Sequence, residues 1–252
     1  MSTLQIIALL GQSNIVGRGK TVAGFAAREP DPRILEYPGS GPERGALRVA
    51  SEPLWHHEPP KPETIGFPVE MAHMLLPSLP SGDRIVLVPA GHGNTGFGTA
   101  SRRGLTWDPE NADATVVNLY AFATTQIAGA LGLPGARLRA IMWHQGEADA
   151  EMDPHEYARK LDALVLGLRG RFGARVPFIV GRITPEALAH RPRLRAIDEV
   201  HRTLPLRHGR VGVWSGQRGM VNSTDDYLHY DARGQILNGG AAANILMEVE
   251  ET

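Results

Sequence analysis

Four segments of this chain carry side chains that together could perform acyl transfer. Gly11-Gln12-Ser13-Asn14 places a hydroxyl beside a glycine, where the backbone can also turn an N–H toward the same point. A serine hydroxyl is a weak nucleophile and needs a general base, usually a histidine oriented by a carboxylate. Of the ten histidines, His229 in Asp226-Tyr227-Leu228-His229 is best suited. An Asp and a His three residues apart on a loop can bond while the other ring nitrogen faces a serine. Asp225 and Asp231 are near enough to replace Asp226. Donors for a developing oxyanion are offered by Gly91-His92-Gly93-Asn94-Thr95 and by Gln145 in Trp143-His144-Gln145-Gly146-Glu147-Ala148-Asp149. Each feature alone has a plainer reading: Ser13 as a helix N-cap, Gln145 as a turn cap, the D-x-x-H pair as a surface contact.

The elements that must position these residues alternate between strand and helix. Leu4–Leu10 is a short apolar run of the kind that forms a buried parallel strand. Further strands are expected at 33–37, Arg84–Pro89, Leu138–His144, 177–182 and Val211–Trp214. Helices are expected at 66–79, about 114–131, from Asp153-Pro154 to about Arg171, at 191–203 and from Ala232 to about Met247. This alternation predicts a parallel sheet covered on both faces, with ligands beyond the carboxyl ends of its strands. Loops 11–19, 91–104 and 145–153 all leave that edge. The proline-rich stretch 53–68 reads as a surface loop, although Trp55, His56 and His57 could also line a pocket.

With 252 residues the chain suits one sizeable α/β domain spanning 1–252. A net charge of −1 gives no reason to expect nucleic acid or an anionic membrane as partner. The basic run Arg191, Arg193, Arg195, Arg202 and Arg207 has helical spacing and reads as a solvated helix face. The absence of cysteine excludes disulfides, thiolate metal sites and a cysteine nucleophile. The start reaches Ser13 too early for a leader, which makes the cytoplasm the default expectation. Secretion stays open if a leader has been removed. No feature of the sequence sets an oligomeric state.

The four segments, taken in order, resemble a known family. Gly11-Gln12-Ser13-Asn14 is similar to the first block of SGNH hydrolases, in the variant of sialate O-acetylesterases and carbohydrate esterase family six, the acetyl xylan esterase group. Trp143–Asp149 resembles that group's W-x-Q-G-E-x-D block and Asp226–His229 its D-x-x-H block. The resemblance implies a three-layer α/β/α, flavodoxin-like fold and a serine esterase that removes acetyl groups from O-acetylated carbohydrates or small esters, with no cofactor or metal. It assigns Ser13 as nucleophile, His229 as base and Asp226 as orienting acid, with an acetyl-serine intermediate. It places the Ser13 and Gly93 amides and the Gln145 side chain in the oxyanion hole. Gln12, Asn14, Asn94 and Glu147 follow as supporting residues. Where the family usually reads G-G-T this chain reads Gly93-Asn94-Thr95, and Asn94 could add its own amide. Arg102, Arg103 and Trp107 could face substrate.

Three other readings compete. Gly91, Gly93 and Gly96 fit the spacing of a dinucleotide fingerprint after a strand, which would make the chain an oxidoreductase. The residues after Gly96 open poorly as the helix that this motif requires. His144, Glu147 and Asp149, or Asp226, His229 and Asp231, could ligate a metal, but that leaves the Gly-Gln-Ser-Asn loop unexplained. A non-catalytic carbohydrate-binding module on the same fold is the third, against which every expected catalytic position holds a competent residue.

Overall fold

The computed structural model describes residues 2–98 and 104–252. Its centre is a seven-stranded sheet in the spatial order Val211–Trp214, Phe178–Gly181, Ala136–His144, Leu4–Gly11, Arg84–Pro89, Ile34–Glu36 and Arg48–Val49. The first six are parallel, and the short Arg48–Val49 strand pairs antiparallel at the edge. Leu4–Gly11 is buried along its whole length because it lies in the middle of the sheet. Its side chains alternate between two cores, as a period of two demands. Leu4, Ile6, Ala8 and Leu10 join the cluster under helices Leu119–Leu131 and Pro154–Phe172. Ile7 and Leu9 join the opposite cluster, capped by helices Pro68–Leu75 and Ala232–Glu250. Two helical layers around one sheet give the three-layer arrangement expected.

Most expected elements appear with shifted ends. The helix expected from about 114 begins at Leu119, where Asn118 caps it by accepting the Ala121 N–H at 3.0 Å. Pro154 opens its helix behind Asp153, whose carboxylate accepts the N–H groups of His155 and Glu156. The segment expected as one helix over 191–203 is helical only from Leu194 to Arg202. A separate helix, Pro185–His190, precedes it, with Thr184 as its cap. Both starts follow local chemistry, since Pro185 takes the first helical position and Pro192 keeps the Pro185–His190 helix from running on.

The basic run is only partly a solvated face. Arg193, Arg202 and Arg207 pair with Glu151, Glu199 and Asp162, whereas Arg191 turns into a cleft at the carboxyl edge of the sheet. No described helix is long and apolar enough to cross a membrane.

Candidate active site

The nucleophile loop is shaped by close packing of two strands. Gly11 has φ +129°, and a Cβ there would run into the carbonyl of His144 on the adjacent strand. Glycine therefore lets the strands stay paired to their ends, and the Gln12 N–H donates to His144 O at 2.8 Å. The chain then turns into the single helical turn Ser13–Val16. Gln12, not Ser13, is its N-cap residue, so the plainer reading of Ser13 as a cap fails. The Ser13 hydroxyl instead meets His229 Nε2 at 3.0 Å.

His229 Nδ1 lies 2.6 Å from Asp226 Oδ1. A carboxylate there fixes the proton on Nδ1 and leaves Nε2 free to accept from serine. Asp226 in turn accepts from Asn222 Nδ2 at 2.9 Å, and the same amide nitrogen donates to Arg18 O at 2.9 Å. The two other candidate acids sit elsewhere. Asp231 caps the last helix and pairs with Arg233, and Asp225 is exposed. Burial lowers the His229 pKa below its ordinary 6.5, Asp226 pulls it back up, and Arg18 and Lys61 push it down again. The imidazole is therefore held as the neutral base at neutral pH.

Asn14 joins the loops that carry these groups. Its carbonyl oxygen accepts the Tyr230 N–H at 3.3 Å, and its amide nitrogen donates to Leu228 O at 2.9 Å and Glu147 Oε1 at 3.2 Å. Glu147 is buried, with its other oxygen unpartnered among the described residues, and burial raises its pKa to about 7. Gln12 supports the neighbouring loop, its side-chain oxygen accepting from the Ala148 N–H at 3.2 Å.

The expected oxyanion donors stand in different surroundings. Gln145 is fully buried. Its amide nitrogen donates to Asp149 Oδ2 at 2.8 Å and Thr95 O at 3.2 Å, while its oxygen accepts from Tyr157 OH at 2.9 Å. Those bonds, with a further one from the same nitrogen to Gln12 Oε1 at 3.3 Å, make Gln145 a tie between the loops around the cleft, its donors already engaged. The Gly93 N–H does face the cleft, where it donates to Glu58 Oε1 at 2.7 Å. Asn94 is exposed, has φ +58° and lines the cleft as well. Trp107 is wholly buried, with its indole N–H on Thr95 Oγ1 at 3.0 Å, so it packs under the site and does not face substrate. Arg102 and Arg103 lie outside the described residues.

The cleft encloses about 300 Å³ around Ser13 and His229, at the lower end of the ~300–1,000 Å³ typical of small-molecule sites. A second cavity of about 590 Å³ adjoins it across Asn94, Glu147, Ala148, Arg191 and Leu228. Arg18, Lys61 and Arg191 bring positive charge to the first. Arg18 is paired with Glu58. The Lys61 and Arg191 side chains have no hydrogen bond or ion pair among the described residues. Lys61 and Glu58 come from the proline-rich loop, so the pocket-lining reading of that loop holds. The residues that line the cleft are not Trp55, His56 and His57, however. Their only signal was the placing of charges in a loop otherwise poor in them.

The rival constellations are not assembled. His144 is buried against Trp214 and Gly181, Glu147 points to Asn14, and Asp149 accepts the Phe97 and Gly98 N–H groups. Among the described residues no group of three or more His, Asp or Glu is placed to hold a metal ion. Gly96 bridges to Thr106 rather than opening a helix.

Comparison with known proteins gives a family and a fold. The family model described as carbohydrate esterase, sialic acid-specific acetylesterase, matches residues 3–248. No curated protein matches by sequence. Among solved structures, NanS superposes with a TM-score of 0.77 at 16% identity, over 100% of this chain and 98% of its own. A protein from Arabidopsis thaliana gives 0.76 at 22% identity, covering 98% of each chain. A carbohydrate acetylesterase from Xanthomonas citri gives 0.64 at 17%, over 97% of this chain and 56% of its own.

Proposed function

The chain belongs to the carbohydrate esterase family of sialic acid-specific acetylesterases, and from that membership we propose that Ser13, His229 and Asp226 carry out its reaction. The protein is a carboxylic ester hydrolase that removes O-acetyl groups from carbohydrate. One observation carries the assignment of residues: the unbroken chain Ser13 Oγ, His229 Nε2, His229 Nδ1, Asp226 Oδ1, with contacts of 3.0 and 2.6 Å. His229 takes the serine proton as Oγ attacks the acetyl carbonyl, and Asp226 stabilises the imidazolium that results. The tetrahedral oxyanion falls to the Ser13 and Gly93 amides, with the exposed Asn94 amide as third donor in place of Gln145. His229 then returns the proton to the sugar oxygen, and water, activated by the same imidazole, cleaves the acetyl-serine.

Within the family the acidic-sugar reading fits this cleft better than the neutral xylan one. The support is the pair of cations without a partner among the described residues, Lys61 and Arg191, beside the nucleophile. A substrate carboxylate would satisfy them, as charge-assisted bonds favour. Acetate release from an aryl acetate and from acetylated acidic and neutral sugars tests both parts. Ser13→Ala is expected to lower kcat/KM roughly 10⁴-fold or more, the scale of losing a triad nucleophile. Equal activity in both forms overturns the assignment, and a preference for the neutral sugar overturns the acidic reading.

A further inference from the structure

Glu58 occupies a position that the proposed mechanism needs vacant. Its Oε1 accepts the Gly93 N–H at 2.7 Å and also the guanidinium of Arg18. Arg18 is anchored from behind, with Nη1 donating to Gly17 O at 3.3 Å. The seat is fitted to a glycine, because a Cβ on residue 93 would lie 2.9 Å from Glu58 Oε1 and 3.2 Å from Arg18 Nη2. Glu58 and Arg18 both line the cavity that holds Ser13 and His229.

We propose that Glu58 is a positioning residue that occupies the oxyanion site, holding the Gly93 N–H until the acetyl carbonyl of a substrate takes that donor over. The inference rests on the reading of Gly93 as an oxyanion donor. One N–H offers one proton, and two acceptors cannot both bind it well. A carboxylate oxygen is the stronger acceptor against a neutral ester carbonyl, since a charged partner about doubles the strength of such a bond. Glu58 therefore opposes the ground-state complex. As the carbonyl oxygen becomes an oxyanion it gains charge of its own, and the competition shifts in its favour. Arg18, held by Gly17 O, retains the displaced carboxylate, so the exchange strands no charge.

The sign of one substitution separates this role from a purely structural one. In Glu58→Ala, kcat/KM for a neutral aryl acetate is expected to rise about tenfold, equivalent to about 1.4 kcal/mol. Glu58→Gln keeps the shape with a neutral acceptor and should give a smaller rise, roughly threefold, because it competes about half as strongly. A boronic acid that forms a tetrahedral adduct on Ser13 places an oxygen at the same donor, and its Ki should fall in the same order. A residue that merely supports the loop would lower activity and weaken the boronate. Either of those results, or no change in both variants, overturns the proposal, and if the alanine form does not fold, the glutamine form decides. Loss of hydrolysis in Ser13→Ala alongside such a result would leave the esterase mechanism intact. Retention of hydrolysis in Ser13→Ala would instead remove the mechanism beneath it.

Discussion

Two cavities of nearly equal size sit at opposite edges of the sheet, about 300 Å³ at the carboxyl edge and about 320 Å³ at the amino edge. Both are rich in charge, and the amino-edge cavity carries more arginine: Arg137, Arg139, Arg175 and Arg210 against Glu250. They differ in what those charges are doing. At the amino edge Arg139 forks onto Glu250 at 2.8 and 2.9 Å, Arg137 donates to Gln5 Oε1 at 2.9 Å, and Arg210 donates to Arg175 O at 2.9 Å. At the carboxyl edge Arg18 is tied to Glu58, but other groups are aimed: a hydroxyl on a neutral imidazole, and, among the described residues, two cations without partners and a buried carboxyl with an open oxygen. Volume and charge do not identify a site. Unspent hydrogen-bonding capacity converging on a nucleophile does.

The sharpest way to break this contrast within the cleft is to remove the orientation while keeping the atoms. Asp226→Asn preserves size but presents an amide to His229 Nδ1, and the imidazole then adopts the tautomer with a proton on Nε2. That form cannot accept from Ser13, and kcat/KM for an aryl acetate should fall roughly 10²–10⁴-fold. The wild-type pH profile reads the same contact. His229 must be neutral to act, and burial lowers its pKa from the ordinary 6.5. Activity should thus disappear only as pH falls through a midpoint below 6.5, and a midpoint above it would contradict the geometry.

A smaller effect is expected on stability. The Glu147 pKa is raised to about 7 from 4.5 by burial. Its contribution to stability is therefore complete below pH 4.5 and is lost as pH rises through about 7. Glu147→Gln keeps the acceptor for Asn14 and never ionises. In paired urea titrations the variant should gain on the wild type between pH 4.5 and 7, by about 3 kcal/mol at 1.36 kcal/mol per unit, and then hold level. A difference that does not change with pH would show that the carboxyl is not charged at the expense of folding.

How far the sequence reveals these regions depends on the range of the interactions involved. Leu4–Gly11, Arg84–Pro89 and Val211–Trp214 are legible because a strand buried on both faces is apolar along most of its length. Ser13, Gly93, Asp226 and His229 are legible as candidates because each follows an element end, where a parallel sheet collects its loops. Gln145 is the instructive case. Its type and place suit a donor, but Asp149, Thr95 and Tyr157 surround it and consume its amide. Glu58, Lys61 and Arg191 are invisible for the opposite reason, since nothing in a proline-rich loop or at the start of a basic helix tells where the chain folds back. Asn222, which steadies Asp226, lies four residues from it, with no pattern to mark it.

The smallest expected effect is also the most direct test of the comparison, because it makes the same deletion in both cavities. Arg191→Ala removes a guanidinium without a partner among the described residues in the cavity that holds Ser13, and Arg175→Ala removes one of the same kind at the amino edge, in a cavity lined by no serine or histidine. If Arg191 binds a substrate carboxylate, the ratio of kcat/KM for an acetylated acidic sugar to that for an aryl acetate should fall about tenfold, since one charged hydrogen bond is worth about 1.5–3 kcal/mol and part of it survives through Lys61. Arg175→Ala should leave that ratio where it was. Arg210 bonds the backbone carbonyl of residue 175, which the substitution keeps, so the stitch across the amino edge survives. Should the two variants change selectivity alike, bulk positive charge attracts the substrate and the cleft has no aimed cation. Should only Arg191→Ala change it, an unspent charge counts only where it converges on a nucleophile.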